Sequence, residues 1–157
     1  MSGITPCLWF DGNAEEAAKF YVSVFPDSRV DAVHLAPSDY PAGKTGDVLV
    51  VEFTLMGQPF TGLNAGPQFR FNEAISFQLP VETQAEADRL TDALSAVPEA
   101  EQCGWVKDRF GVSWQIFPSE LIKMIGDADR HRAKRAFDAM SQMKRIDFAA
   151  IERAADS

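Results

Sequence analysis

A chain of 157 residues is long enough to form one ordinary domain with a real core. Apolar residues make up 46% of it and charged residues 24%, the range of a globular protein, and no run approaches the roughly 20 apolar residues of a membrane span. The formal charge of −8 repels phosphate backbones, so neither nucleic acid nor a membrane is an expected partner.

The opening Met-Ser-Gly-Ile-Thr-Pro has no basic n-region and no apolar h-region, so no signal peptide is expected and the predicted location is cytoplasmic. Cys7 and Cys103 fit no zinc spacing and read as free thiols, each beside a strand-like run where a buried Cys acts as a small apolar residue. The basic stretch Arg130, Arg132, Lys134 and Arg135 is diluted by Asp127, Asp129 and Asp138 and reads as a solvated helix face.

In chain order, Ile4 to Phe10 reads as a strand that ends at the turn signal Asp11-Gly12. Asn13 is a candidate N-cap, with Glu15 and Glu16 in the first turn of a helix. Ala14, Ala17, Ala18, Tyr21, Val24 and Phe25 recur along it at helical spacing. Pro26-Asp27-Ser28 stops that helix. Arg29 to Leu35 is predicted as a second strand, with Val30, Val33 and Leu35 apolar. A polar loop runs from Ala36 to Gly46, followed by a strand over Val48–Leu55, a tight turn at Met56-Gly57-Gln58, a strand over Pro59–Leu63 and a second loop over Asn64–Asn72.

The pattern then restarts. Ile75, Phe77, Leu79 and Val81 alternate with Ser76 and Gln78, as in a half-buried strand. Thr83 and Glu86 stand at capping-box spacing before a helix whose expected buried stripe is Ala87, Leu90, Ala93, Leu94 and Val97. A short strand is predicted near Glu101–Cys103, then a hairpin of Trp105–Lys107 and Val112–Phe117 turning at Arg109-Phe110-Gly111. The end is helical: Glu120–Ile125, a helix capped by Asp127 with Ala133, Ala136, Phe137 and Met140 on one face, and a last one capped by Asp147.

This restart is an internal repeat. Asn13 and Thr83, Glu16 and Glu86, and Ala17 and Ala87 all stand 70 residues apart, whereas Gly57 and Gly111, and Phe60 and Trp114, stand 54 apart. The second copy is therefore shorter, with its missing residues opposite the Ala36–Gly46 loop. The predicted fold is α+β: a single domain over 1–157 with two βαβββ modules, 1–66 and 73–118, and a C-terminal helical extension over 119–157. Two such modules are expected to curl their sheets so that a cleft, the default ligand site, lies between their helix-free faces.

Trp9-Phe10-Asp11-Gly12-Asn13-Ala14-Glu15-Glu16-Ala17-Ala18-Lys19-Phe20-Tyr21, Gly62-Leu63-Asn64-Ala65-Gly66-Pro67, Asn72-Glu73-Ala74-Ile75-Ser76-Phe77 and above all the run from Cys103 to Ile116 resemble PhnB-like proteins, the group labelled "3-demethylubiquinone-9 3-methyltransferase domain". The resemblance spans nearly the whole chain, including the Met143–Ala154 tail. It implies membership of the vicinal-oxygen-chelate superfamily, with its glyoxalase, dioxygenase and antibiotic-binding members. It also implies a metal site with one position on the first and last strand of each module. Counted from the helix caps and hairpin glycines, those positions fall on Pro6, Thr61, Ser76 and Gln115, and a one-residue slip brings in Thr5 or Cys7. None is a His or a carboxylate, and His34 and His131 lie far from them in sequence, so neither a catalytic metal nor a cofactor is expected.

The candidate ligand-binding residues are Trp9, Thr61, Asn64, Ser76, Gln78, Trp105 and Gln115. Their polar groups are neutral; they orient a ligand well but are poor general bases. Trp9, Trp105 and Trp114 read either as an aromatic wall or as core packing. Asp108 reads as serving its turn rather than as a catalytic acid. Glu52, between Val51 and Phe53, reads as solvent-facing; a buried carboxylate is the alternative. The leading expectation is a metal-free protein that binds a small organic ligand, as a homodimer. The alternatives are an enzyme of the superfamily (lyase, isomerase, dioxygenase or, by the family label, methyltransferase) and an interaction role in which Phe137, Met140 and Met143 form a dimer contact. No G-x-G run after a strand supports the methyltransferase reading.

Overall fold

The structure, a computed structural model, describes residues 3–157; Met1 and Ser2, with which the segment read as leaderless begins, lie outside them. The chain divides into two compact units, the first ending at Phe71 and the second beginning at Asn72.

In the first unit, β1 (Cys7–Phe10), α1 (Ala14–Val24), β2 (Arg29–Leu35), β3 (Val48–Leu55) and β4 (Gln58–Asn64) make a βαβββ module. Its sheet order is β1-β4-β3-β2, with β1 parallel to β4 and the other pairs antiparallel. The β3–β4 loop is Met56-Gly57, with φ of 49° and 84°, the mirror-image turn whose twist suits a two-residue hairpin. The helical spacing read from the sequence is the packing: Ala14, Ala17, Ala18, Tyr21, Val24 and Phe25 are all buried. Tyr21 stacks on Phe53, and Phe53 on Phe60 at 5.4 Å between centroids. A Cβ at Gly62 would meet that of Ala14 at 3.2 Å, so α1 lies close against β4. The predicted first strand is cut back: Ile4 is 94% exposed and β1 begins at Cys7. Val33 and Leu35 are exposed too, because β2 is the sheet's outer strand.

The second unit repeats the plan with one strand fewer. β5 (Ser76–Val81), α2 (Gln84–Leu94), β6 (Trp105–Lys107) and β7 (Ser113–Pro118) give the order β5-β7-β6, with β5 parallel to β7. The strand expected near Glu101–Cys103 is only an isolated bridge from Gln102 to Trp105, closed by Cys103-Gly104 with φ of 51° and 80°. Thr83 does cap α2, accepting from the Glu86 N–H. The buried stripe differs from the predicted one: Ala93 is exposed and Val97 only half-buried, whereas Thr91 is buried. The Thr91 hydroxyl donates to the Ala87 carbonyl at 2.8 Å, which satisfies it inside the helix. Ile75, assigned above to the buried face, precedes β5 and is 73% exposed.

The tail forms α3 (Leu121–Ile125), α4 (Arg130–Ser141) and α5 (Phe148–Asp156). Asp129, not Asp127, caps α4, accepting from the N–H groups of His131 and Arg132; Asp147 caps α5 as expected. Asp127 instead accepts from the Asp129 N–H and pairs with Arg132 at 2.9 Å. Phe117, Leu121, Ala136, Met140, Ile146, Ile151 and Ala155 form one apolar cluster, with Met143 packed against it. Of the three residues read as a dimer contact, Met140 and Met143 are thus engaged within the chain, while Phe137 is half exposed. The basic stretch is not simply solvated: Arg132 bridges Asp127 and Asp156, and Arg135 donates to the last carbonyls of α5, favourable for a cation at a helix C-terminus. Gln84 of α2 holds the tail by donating to the Ile146 carbonyl and accepting from the Phe148 N–H. No helix among the described residues is long and apolar enough to cross a membrane.

Candidate functional site

The sequence repeat has two registers near its start. α1 and α2 align at an offset of 70, but the core-facing strand residues Leu8 and Phe10 correspond to Leu79 and Val81, an offset of 71. The cause is the link between strand and helix: Asp11-Gly12-Asn13 in unit one, with Gly12 at φ 82°, against Glu82-Thr83 in unit two. A one-residue slip in a strand moves every side chain to the other face. The position that matches Ser76 is therefore Thr5 rather than Pro6, and the match of Gln78 is Cys7.

Strand alternation then sorts the candidates. In unit one, Leu8, Phe10, Val51, Phe53, Phe60, Gly62 and Asn64 face α1, which leaves Cys7, Trp9, Glu52 and Thr61 on the opposite face. Cys7, Thr61 and Glu52 lie side by side across β1, β4 and β3. The Trp9 indole N–H donates to the Gly66 carbonyl at 2.7 Å, and its ring meets Phe69 edge-on at 4.9 Å. In unit two, Val106, Trp114 and Ile116 are buried on the α2 side, so Ser76, Gln78, Trp105, Lys107, Ser113 and Gln115 share the face turned away from α2. Gln78, Gln115 and Trp105 are in register across β5, β7 and β6. The Gln115 carboxamide donates to the Ser76 hydroxyl at 2.6 Å. Six of the seven predicted residues thus occupy helix-free faces, Trp9 and Thr61 in one unit and Ser76, Gln78, Trp105 and Gln115 in the other.

Asn64 does not. It is 4% exposed on the α1 side; its Oδ1 accepts from the Ala14 N–H and its Nδ2 donates to the Val48 carbonyl, each at 2.9 Å. It does the capping predicted for Asn13, whose side chain makes no cap bond. No local sequence signal reveals a cap supplied from 50 residues away. Trp114 takes the core alternative: it is buried and its indole donates to Asp108 at 2.9 Å. Asp108, 1% exposed, also accepts from the N–H groups of Phe110 and Val112, so it organises the hairpin as expected.

Glu52 is exposed, as predicted, and its carboxylate lies 3.2 Å from Nε2 of His34. His34 is far from the candidate positions in sequence, yet strand pairing of β2 with β3 brings it onto the face that carries Thr61. Cys7 is exposed rather than buried, and the desolvation it does undergo raises its thiol pKa, so it is no activated thiolate. Clefts lined by Val81, Pro118, Met124 and Phe148, and by Thr83, Gln84, Arg145 and Phe148, lie elsewhere in unit two, against the tail.

The four metal positions, corrected for register, are Thr5, Thr61, Ser76 and Gln115. Neutral hydroxyls and one carboxamide do not fit a divalent ion, which takes imidazole, thiolate or carboxylate donors. Among the described residues, no group of three or more His, Cys, Asp or Glu is placed to hold a metal ion.

Two repeated units, with sheet orders β1-β4-β3-β2 and β5-β7-β6 and a helix on one face of each, define an α+β protein. Residues 2–117 match the family described as 3-demethylubiquinone-9 3-methyltransferase. A PhnB protein from Bacillus cereus is 33% identical, with a TM-score of 0.62 over 74% of this chain and 99% of its own. A protein from Pseudomonas aeruginosa, 24% identical with a TM-score of 0.56 over 74% of this chain and 96% of its own, shares the fold. None of the curated proteins matches the chain. The chain belongs to the 3-demethylubiquinone-9 3-methyltransferase family and is PhnB-like. The family match ends at Phe117, so the resemblance read into the Met143–Ala154 tail is not part of it, and α3–α5 are additional to the shared fold.

Proposed function

We propose that this PhnB-like chain binds a small organic molecule on the face of β5–β7–β6 turned away from α2, without a catalytic metal. The observation that carries the reading is the row Gln78, Gln115 and Trp105, with Gln115 bonded to Ser76 at 2.6 Å. It offers carboxamide and hydroxyl groups beside a half-buried indole, which suits a planar or apolar molecule with a few polar atoms. These side chains stand on strands, and the Ser76–Gln115 bond holds two of them in place. Native mass spectrometry of protein purified without chelator tests the reading. The expected result is an organic adduct, or a bare mass together with quenching of tryptophan fluorescence by small aromatic probes. That quenching should weaken at least tenfold in Gln115→Leu and Trp105→Ala at unchanged far-ultraviolet circular dichroism. One divalent metal per chain would overturn it.

A second reading, an enzyme, is favoured by the His34–Glu52 pair: a carboxylate beside an imidazole is the arrangement of a general base. It predicts a proton-transfer activity lost in His34→Gln. The methyl transfer in the family's description has no cradle for S-adenosylmethionine in the sequence, and equilibrium dialysis with labelled S-adenosylmethionine is expected to show no binding. A small-molecule ligand and a second copy of the chain remain the proposed partners, the latter readable from the same native spectrum.

A further inference from the structure

Beside the neutral row on the face of β5–β7–β6 runs a second one. Ser76, Ser113 and Lys107 are in register across β5, β7 and β6. Ser113 is 2% exposed, and its hydroxyl oxygen has no hydrogen-bond partner among the described residues. Buried polar groups are rarely left this way, and each such group calls for an explanation. Lys107 stands directly opposite it, at a Cβ separation of about 5 Å for such pairs. The Lys107 side chain is 24% exposed, and its ammonium is in contact with the carboxylate of Glu73, whose own side chain is 57% exposed.

We infer that Lys107 and Ser113 form the anion-reading end of the proposed ligand face, which selects organic molecules bearing a carboxylate or another oxyanion, and that Glu73 holds that place in the free protein. The inference rests on the proposed binding face and adds the charge of its ligand. Three features support it. The chain carries a formal charge of −8, so an anionic ligand needs a local cation; screening over about 8 Å makes the near pair decisive over the distant charges. Glu73 already makes the contact such a ligand would make: its carboxylate meets the Lys107 ammonium, whose hydrogen bond and charge favour the ionised form. Finally, an ion pair alone explains Lys107 but not the unpartnered Ser113 hydroxyl, which an oxyanion in the same row would satisfy as an acceptor.

The test is titration of the full chain with benzoate, its neutral counterpart benzamide, and inorganic phosphate, followed by tryptophan fluorescence and calorimetry. Wild type is expected to bind benzoate at least tenfold more tightly than benzamide. Lys107→Met should erase that preference, Ser113→Ala should reduce it several-fold, and Glu73→Gln, which removes the competing carboxylate, should strengthen benzoate binding. Competition by phosphate would assign the subsite to oxyanions in general; no competition would assign it to carboxylates. Equal binding of benzoate and benzamide, both lost in Gln115→Leu, would refute the anion subsite and leave the binding face standing. Binding of neither probe would remove both. A benzoate preference that survives in Lys107→Met, or fails to rise in Glu73→Gln, overturns the assignment.

Discussion

Replacing Asn64 by alanine separates a structural role from a ligand role at a residue whose sequence context suggested the latter. The side chain is buried and supplies two bonds of 2.9 Å, one to the Ala14 N–H at the start of α1 and one to the Val48 carbonyl on β3. Alanine leaves both backbone groups without their partners. Loss of a helix cap costs about 0.5–2 kcal/mol. An unsatisfied buried carbonyl adds about 1–3 kcal/mol. Partial access of water to the two groups reduces the total, so the expected destabilisation is about 1–4 kcal/mol. Urea unfolding followed by circular dichroism measures it, with wild type and variant compared at the same urea slope so that the midpoint shift converts directly. Asn64→Asp should recover part of the loss, because a carboxylate still accepts from Ala14 and suits a helix N-terminus, while its contact with the Val48 carbonyl becomes repulsive. A change below about 0.5 kcal/mol, under the lowest cost of a lost cap, would refute the reasoning. So would a variant of full stability that had lost binding of the aromatic probes, which would return Asn64 to the ligand site.

Other perturbations follow from the same geometry. Gly104→Ala places a Cβ 2.1 Å from the Ile116 carbonyl oxygen at a φ of 80°, so it should destabilise by more than about 2 kcal/mol, read as a lowered urea midpoint. Asp108→Ala unpairs the Phe110 and Val112 N–H groups and the Trp114 indole, with an expected loss of about 3 kcal/mol or more and a shifted Trp114 emission maximum. Backbone N–H donors lower the pKa of Asp129, and those together with Arg132 lower that of Asp127. Such groups stabilise the folded state above the unfolded carboxylate pKa of about 3.9 and lose that contribution as pH falls through their lower folded values. Protection factors of the amides in the first turn of α4, taken against their intrinsic exchange rates, should therefore fall on acidification below about pH 4, and Asp129→Asn, which keeps the acceptor, should flatten that response.

Much of this molecule is determined locally. The alanine-rich stripe of α1 at helical spacing, the Thr83 cap and its Glu86 partner, the Met56-Gly57 turn and the Asp147 cap all act within a few residues, and the sequence suffices to place them. Alternation along β5 is likewise enough to put Ser76 and Gln78 on one face. The tertiary structure decided what depends on residues distant in the chain. Asn64 caps a helix 50 residues before it, His34 meets Glu52 only because β2 pairs with β3, and Ser113 and Lys107 become neighbours of Ser76 through the order β5-β7-β6. The register of the repeat belongs to the same class. One extra residue between β1 and α1 leaves the helix alignment intact yet inverts the strand's faces, because a strand has a period of two and keeps no memory of the helix count that follows.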